Sequence, residues 1–517
     1  MKRRTFNLGA AGAAVSAFVP RLSLAQQGAK RGGEVTIAMV APPPSLDAHI
    51  TSAQAARNIT LHIFETLYAR DEKAKPVPEL ATGVNVSQDG KTYVFPIRQD
   101  VTFHNGKKLD AQDVVASIER YRKLGASATL LSAVDSVRAT GPHEVTIALK
   151  QVQSTFLDNL SSPRAPIAIY PAAEAAKGAN QIDYIGTGPY RFVEYRPDSH
   201  CTIARYDGYS PNPAATARDG FAGKKEVFLD RVTFRFMVEA GPRNAAFEAG
   251  EVQLVETVDG PTAKRWKDAK HLVIYKALPF GFQVIKFNHA LGATGDLNFR
   301  LAVQSALEME DIMAIAYPDI YAMDGVWVYP GSPYYTKQGT EAYNKPDMAA
   351  AKALLAKSGY KGETLIFITD PLRPNADTAT MVQERLKELG VKIEIQVADW
   401  PTVSKIGYTP TGWNFWTHGF GIEPYEGPAS VMAPWVGGNS QQKPDAEVDR
   451  LYAAYNAELD EAKRKAIFAE FQKRFYDQAI AMKAGNYGYF QVATSRLKNF
   501  APYRIPRMWG VWLEAQA

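Results

Sequence analysis

The sequence predicts an α/β protein built from more than one domain, and three observations carry that reading. Its 517 residues exceed what one ordinary hydrophobic core accommodates. Short runs of period-two alternation, at Glu34–Met39, Thr92–Ile97, Val134–Thr140 and Glu144–Leu149, recur between stretches of helical period. Thr364–Thr369, a helical pattern ending at Leu389-Gly390, and Val391–Val397 read as a strand–helix–strand unit.

Taken in order, the chain opens with Lys2-Arg3-Arg4, a modest apolar run over Leu8–Val19, and small residues at Ser23-Leu24-Ala25. This is the layout of an export signal over residues 1–25, with Arg3-Arg4-Thr5-Phe6 resembling the twin-arginine type. Without that segment the basic and acidic residues number 55 and 54, a net +1, which gives no electrostatic case for nucleic acid or an anionic membrane. Cys201 is the sole cysteine and excludes an internal disulfide. No later stretch approaches the eighteen or so apolar residues of a membrane span.

Glu34–Met39 is the first strand, ended by Pro42-Pro43-Pro44. Ala55–Tyr68 reads as a helix burying Ile59, Ile63, Phe64 and Leu67, on which His62 and Glu65 share a face as a surface or hinge pair. The strand with Tyr93, Phe95 and Ile97 on one side lies between turns at Asp89-Gly90 and Asn105-Gly106. Asp110 is the N-cap of the next helix, with Asp113 as capping-box partner and Val114, Val115, Ile118 and Tyr121 as the buried stripe. Gly141-Pro142 joins a strand pair, and Gly186-Thr187-Gly188-Pro189 reads as a chain reversal into a strand. Those glycines lack the following Lys-Ser/Thr of a phosphate loop. Further on, Leu297–Ala316 reads as one long helix with Ala302, Val303, Ala306, Leu307 and Ile315 inward. Tyr317–Tyr343 is an ordered loop, and two helices near 446–456 and 460–476 precede a strand at Gly488–Ala493 and an aromatic tail around Trp509 and Trp512.

No GxSxG elbow, HExxH helix or Cys–His arrangement is present, and the eight histidines are scattered. Neither catalysis nor a cofactor or metal is expected. The informative stretch is Asp399–Trp435, which holds four of the eight tryptophans. Ring faces enclose an apolar or cationic solute at low side-chain entropy cost. The candidate ligand-binding residues are therefore Trp413, Trp416, His418, Phe420, Glu423, Tyr425 and Trp435.

The stretch DGKTYVFPIRQDVTFHNGKKLDAQDVVASIER resembles the signature of family 5 (peptide/nickel type) extracytoplasmic solute-binding proteins, the receptors of ABC importers. Ser87, Asp89, Gly90, Phe95, Arg98, Phe103, His104, Gly106 and Asp113-Val114 stand on it, and GTGPYRF at Gly186–Phe192 matches as well. The resemblance implies a two-lobed periplasmic binding protein of type II, class C-like, that closes over its solute by hinge motion. It implies a first lobe at 34–276 with an inserted subdomain at about 76–185, a second lobe at 277–492, and a return to the first lobe at 493–517. The implied partners are a small-molecule solute and an inner-membrane ABC permease, for a monomer located in the periplasm. Peptide-binding relatives carry an aspartate for the peptide ammonium in a pattern like gWtgDygDPdn. Aligned on Pro424, Glu423 takes the second acidic position and Phe420 stands where the first aspartate would, so an ordinary free-amine peptide is disfavoured as cargo. The alternatives are a di- or oligopeptide, a nickel chelate held near His418, or a chemoreceptor or chaperone role on the same scaffold.

Overall fold

The computed structural model describes residues 29–423 and 426–515, so the export signal at 1–25 and the candidate Tyr425 lie outside the described residues. Two long antiparallel strands organise the molecule. Leu272–Phe287 and Ala481–Thr494 pair from Leu272 against Thr494 to Lys286 against Ala481. They lie inside one eleven-stranded sheet. On one side follow Leu254–Val258, Glu34–Met39, Arg231–Phe236, His200–Arg205 and Tyr190–Arg196. On the other follow Phe415–Phe420, Thr364–Thr369 and Lys392–Val397. The long pair thus runs from one lobe into the other, and the architecture is the two-lobed α/β arrangement that the resemblance implies.

Each lobe contains a parallel segment. Glu34–Met39 lies between Arg231–Phe236 and Leu254–Val258, parallel to both, and Ile37, Ala38 and Met39 are fully buried. In the second lobe Thr364–Thr369 is parallel to Lys392–Val397 and to Phe415–Phe420. The crossover helix Arg373–Leu389 buries Val382, Leu386 and Leu389 and ends at Gly390, whose φ of 91° is left-handed and favours glycine.

A smaller sheet, ordered Asn85–Val86, Thr92–Pro96, Glu144–Leu149, Val134–Gly141, carries the helix Ala111–Leu124. Both bonds of the capping box form: Asp110 Oδ1 accepts from Asp113 N at 3.1 Å, and Asp113 Oδ2 accepts from Asp110 N at 3.0 Å. Phe95, Phe103, Val114, Ile118 and Tyr121 make the core of this unit.

Two helical readings are corrected. The first helix is Gln54–Ile63, not Ala55–Tyr68, because the following residues pair as extended chain. Thr66 O accepts from Leu80 N, and Leu67 O accepts from Glu79 N and Ala81 N, so tertiary hydrogen bonds replace the next helical turn. The segment Leu297–Ala316 is two helices, Leu297–Ala306 and Met309–Ala316. Arg385 Nε takes the Ala306 carbonyl at 3.0 Å and Asn344 Oδ1 caps Met309 N at 2.8 Å, so the interruption is satisfied from outside. Ile315 consequently faces solvent at 45% exposure rather than the core.

His62 and Glu65 are also not a surface pair. His62 Nε2 accepts from Met508 N at 3.1 Å, and its ring lies 5.1 Å from that of Trp509, which fastens the C-terminal tail to the first lobe. Glu65 is buried against Lys225, Thr187 and Tyr209.

Candidate functional site

The site strand Phe415–Phe420 pairs antiparallel with the second-lobe end of Leu272–Phe287, with Phe420 opposite Phe282, His418 opposite Val284 and Trp416 opposite Lys286. Strand alternation sorts its side chains. Phe415 packs on Phe287, Phe299 and Phe367 in the helix-covered core, and Thr417 donates to Val284 O. Trp416, His418 and Phe420 form a row on the opposite face. Ring centroids lie 4.5 Å apart from Trp416 to His418 and 6.2 Å from His418 to Phe420, and Trp435 lies 6.2 Å beyond Phe420.

Three of the candidates from the sequence meet in that row, and Phe420 is its half-buried member. Trp435 covers it from the 3-10 turn Ala433–Gly438 and is itself fully buried against Phe475 and Trp327. Like Trp416, which is fully buried in the same cluster, Trp413 does not line an open cleft. It is fully buried, packs on Val403 and Ile368, and its indole N–H donates to Thr409 O at 2.9 Å, so packing accounts for it. His418 is buried, with Nδ1 on the Gly419 carbonyl at 3.1 Å. Burial and the nearby Lys286 charge push its pKa down to about 3.

Glu423 joins the lobes. Its carboxylate accepts from Arg57 at 2.6 and 2.8 Å, from the first-lobe helix Gln54–Ile63, and forms an ion pair at 3.1 Å with Arg504 of the returning tail. Burial opposes its ionisation, yet the Arg57 and Arg504 guanidiniums outweigh that and hold the carboxyl below its ordinary range. Arg504 in turn lies over the Phe280 ring at 3.3 Å, and Phe280 meets Tyr489 edge-on at 4.4 Å. Arg57, Arg504, Phe280 and Lys286 were not among the sequence candidates. Lys286 carried one faint signal, a lysine on the inward face of the apolar strand VIKFN.

The lobes also touch at the mouth of the cleft. Ser154 N donates to Asn456 O at 2.8 Å, Thr155 Oγ1 to Asn456 Oδ1 at 3.1 Å, and Arg164 Nη1 to Gly421 O at 3.2 Å. Between them lies a cavity of about 260 Å³, lined by Arg70, Thr155, Asp158 and Arg164 of one lobe and Glu426 and Ser430 of the other. A larger cavity of about 650 Å³ is lined by Leu278, Asp324, Tyr343 and Asn486, from the hinge and second lobe alone, so closure of the two lobes does not form it. Among the described residues no three His, Cys, Asp or Glu side chains come together as a metal-binding group, and no helix is long and apolar enough to cross a membrane.

This two-lobed scaffold has known counterparts. The oligopeptide-binding protein AppA of Bacillus subtilis is 25% identical over 417 residues, covering 75% of this chain and 73% of the relative. The ABC transporter substrate-binding protein CtaP of Listeria monocytogenes superposes with a TM-score of 0.82 at 21% identity, over 94% of this chain and 100% of that one. The A. tumefaciens R10 protein AgaA, in complex with agropinic acid, gives a TM-score of 0.74 at 22% identity, over 94% and 99%. Residues 75–443 match the family model itself, and the chain belongs to the bacterial extracellular solute-binding proteins of family 5.

Proposed function

We propose that this ABC-importer receptor works in the periplasm and carries a small organic solute other than an ordinary free-amine peptide. The observation that supports the cargo reading is the state of Glu423. It is the acidic residue nearest the position that pairs with a peptide ammonium, and two guanidiniums already neutralise it. A buried ammonium placed beside it would compete with Arg57 and Arg504 rather than find a free carboxylate. Phe420, where the usual aspartate would stand, offers an apolar ring instead. Relatives on this fold carry the names of an oligopeptide-binding protein and an agropinic acid complex, so scaffold and cargo vary independently.

The receptor binds solute between open lobes, closes about the two long strands, and docks closed on the permease. Transport energy comes from an ATPase elsewhere, so this chain has no reaction to catalyse. The cargo reading is tested by native mass spectrometry of protein purified from its source, followed by calorimetry with the recovered solute and a dipeptide panel. Phe420→Ala is expected to weaken solute binding by roughly 2 kcal/mol, the order for truncating an aromatic anchor. Tight dipeptide binding by the wild type, or solute affinity indifferent to Phe420→Ala, would refute it. Location has its own test: changing Arg3 and Arg4 to lysines should abolish periplasmic recovery, and an unchanged yield sinks the twin-arginine assignment.

A further inference from the structure

We propose that Lys286 selects the charge of the solute, reading a carboxylate that the solute inserts among the packed aromatic rings beside Trp416 and His418. This deepens the proposed function and rests on that reading. Lys286 occupies the inner end of the row formed by Phe420, His418 and Trp416, directly opposite Trp416 in the strand register. Its Nζ lies 4.1 Å from the Trp416 ring centroid, 4.9 Å from Tyr408 and 6.0 Å from Trp435. The residue is 1% exposed. Among the described residues no carboxylate forms an ion pair with it and no acceptor takes a hydrogen bond from it.

Burying an ammonium without an acceptor is costly, and ring faces offset only part of that cost. A side chain held in this way has capacity for an anion. Other unpartnered groups around it have the polarity an acid needs. Among the described residues the indole N–H groups of Trp416 and Trp435 find no acceptor, and both are fully buried. His418 donates from Nδ1 to Gly419 O, which leaves Nε2 without a partner among the described residues and able to accept from a hydroxyl or amide next to the carboxylate. Burial pulls the Lys286 pKa down to about 7. The outer wall is thin. Trp400 and Tyr408, 47% and 55% exposed, lie 6.0 and 5.5 Å from the Trp416 ring, so one layer of side chain separates the ammonium from solvent.

The experiment compares wild type with Lys286→Met, which keeps length and apolar bulk while removing the charge. Binding is followed by thermal denaturation and calorimetry with 3-phenylpropionate, 3-phenylpropanamide and phenethylamine, one ring carrying a negative, neutral or positive end. The acid alone should stabilise the wild type, and Lys286→Met should lose at least tenfold of its affinity. Without ligand the variant should melt at or above the wild-type temperature, because it removes an unpaired buried charge. The inference is overturned by wild type that ignores the acid, by amide or amine binding as tight as the acid, or by a ligand-free variant that melts well below wild type. It is also overturned if Lys286→Met retains full affinity for the solute recovered by native mass spectrometry, and in that case the receptor reading stands.

Discussion

Replacing Glu423 by alanine is expected to destabilise the protein by about 3–5 kcal/mol, the range for removing one partner of a buried ion pair. The Arg57, Arg504 and Glu423 side chains are 4%, 9% and 2% exposed, so solvent screens them little. The alanine variant leaves two guanidiniums facing each other with no carboxylate between them. Glu423→Gln, which keeps an acceptor oxygen, should lose less. The sign of the pH dependence follows from the lowered pKa. Stability from this group is fully present above the unfolded-state value of about 4.3 and is lost as pH falls through the lower folded-state value. The wild type should therefore show an acid-side loss of stability that the alanine variant lacks in part. Because the carboxylate links the lobes, the variant should also have a larger radius of gyration by small-angle scattering. An unchanged urea midpoint together with an unchanged acid limb would show that the cluster does not clamp the lobes.

Much of the scaffold was legible because its determinants are local. The Asp110 capping box, the hairpin through Gly141-Pro142 and the strand–helix–strand unit at 364–397 depend on residues a few positions apart, and each forms as read. Helix lengths were not legible where distant groups end them. Asn344 and Arg385 interrupt Leu297–Ala316, and nothing within that segment marks the interruption. The site shows the same division. Tryptophan density pointed to the strand Phe415–Phe420, and alternation separates Phe415 from Trp416. Whether an indole lines a cleft or fills a core depends on what covers it, which the strand does not encode; Trp413 is core for that reason. Glu423 drew notice as a partner for ligand, whereas its partner Arg57 lies 366 residues away in sequence. A contact of that separation has no local signature.

Gly186→Ala should cost about 3 kcal/mol, at the upper end of ordinary overpacking, and should damage solute binding as well as stability. A Cβ at this position would lie 2.0 Å from Ile63 O and 2.7 Å from Phe64 Cδ1, and one at Gly188 would lie 2.5 Å from His62 O. The reversal is bound in place from both sides. Gly188 N donates to Ile63 O at 2.9 Å, and His104 accepts from Gly186 N at 3.2 Å while its other ring nitrogen meets Gly188 O at 3.0 Å. It cannot retreat without breaking these bonds, so the strain falls on the C-terminal end of Gln54–Ile63. That helix carries Arg57, whose guanidinium must reach Glu423 across the cleft. A shift of a few tenths of an ångström is enough to lengthen charge-assisted bonds of 2.6 and 2.8 Å. Gly83 supplies the control, since an added Cβ there meets nothing within 4 Å and Gly83→Ala should stay within about 1 kcal/mol of wild type. Urea unfolding of both variants, with scattering to follow closure, decides the matter. If Gly186→Ala unfolds and closes like Gly83→Ala, the close packing of the reversal against the helix is not what positions Arg57.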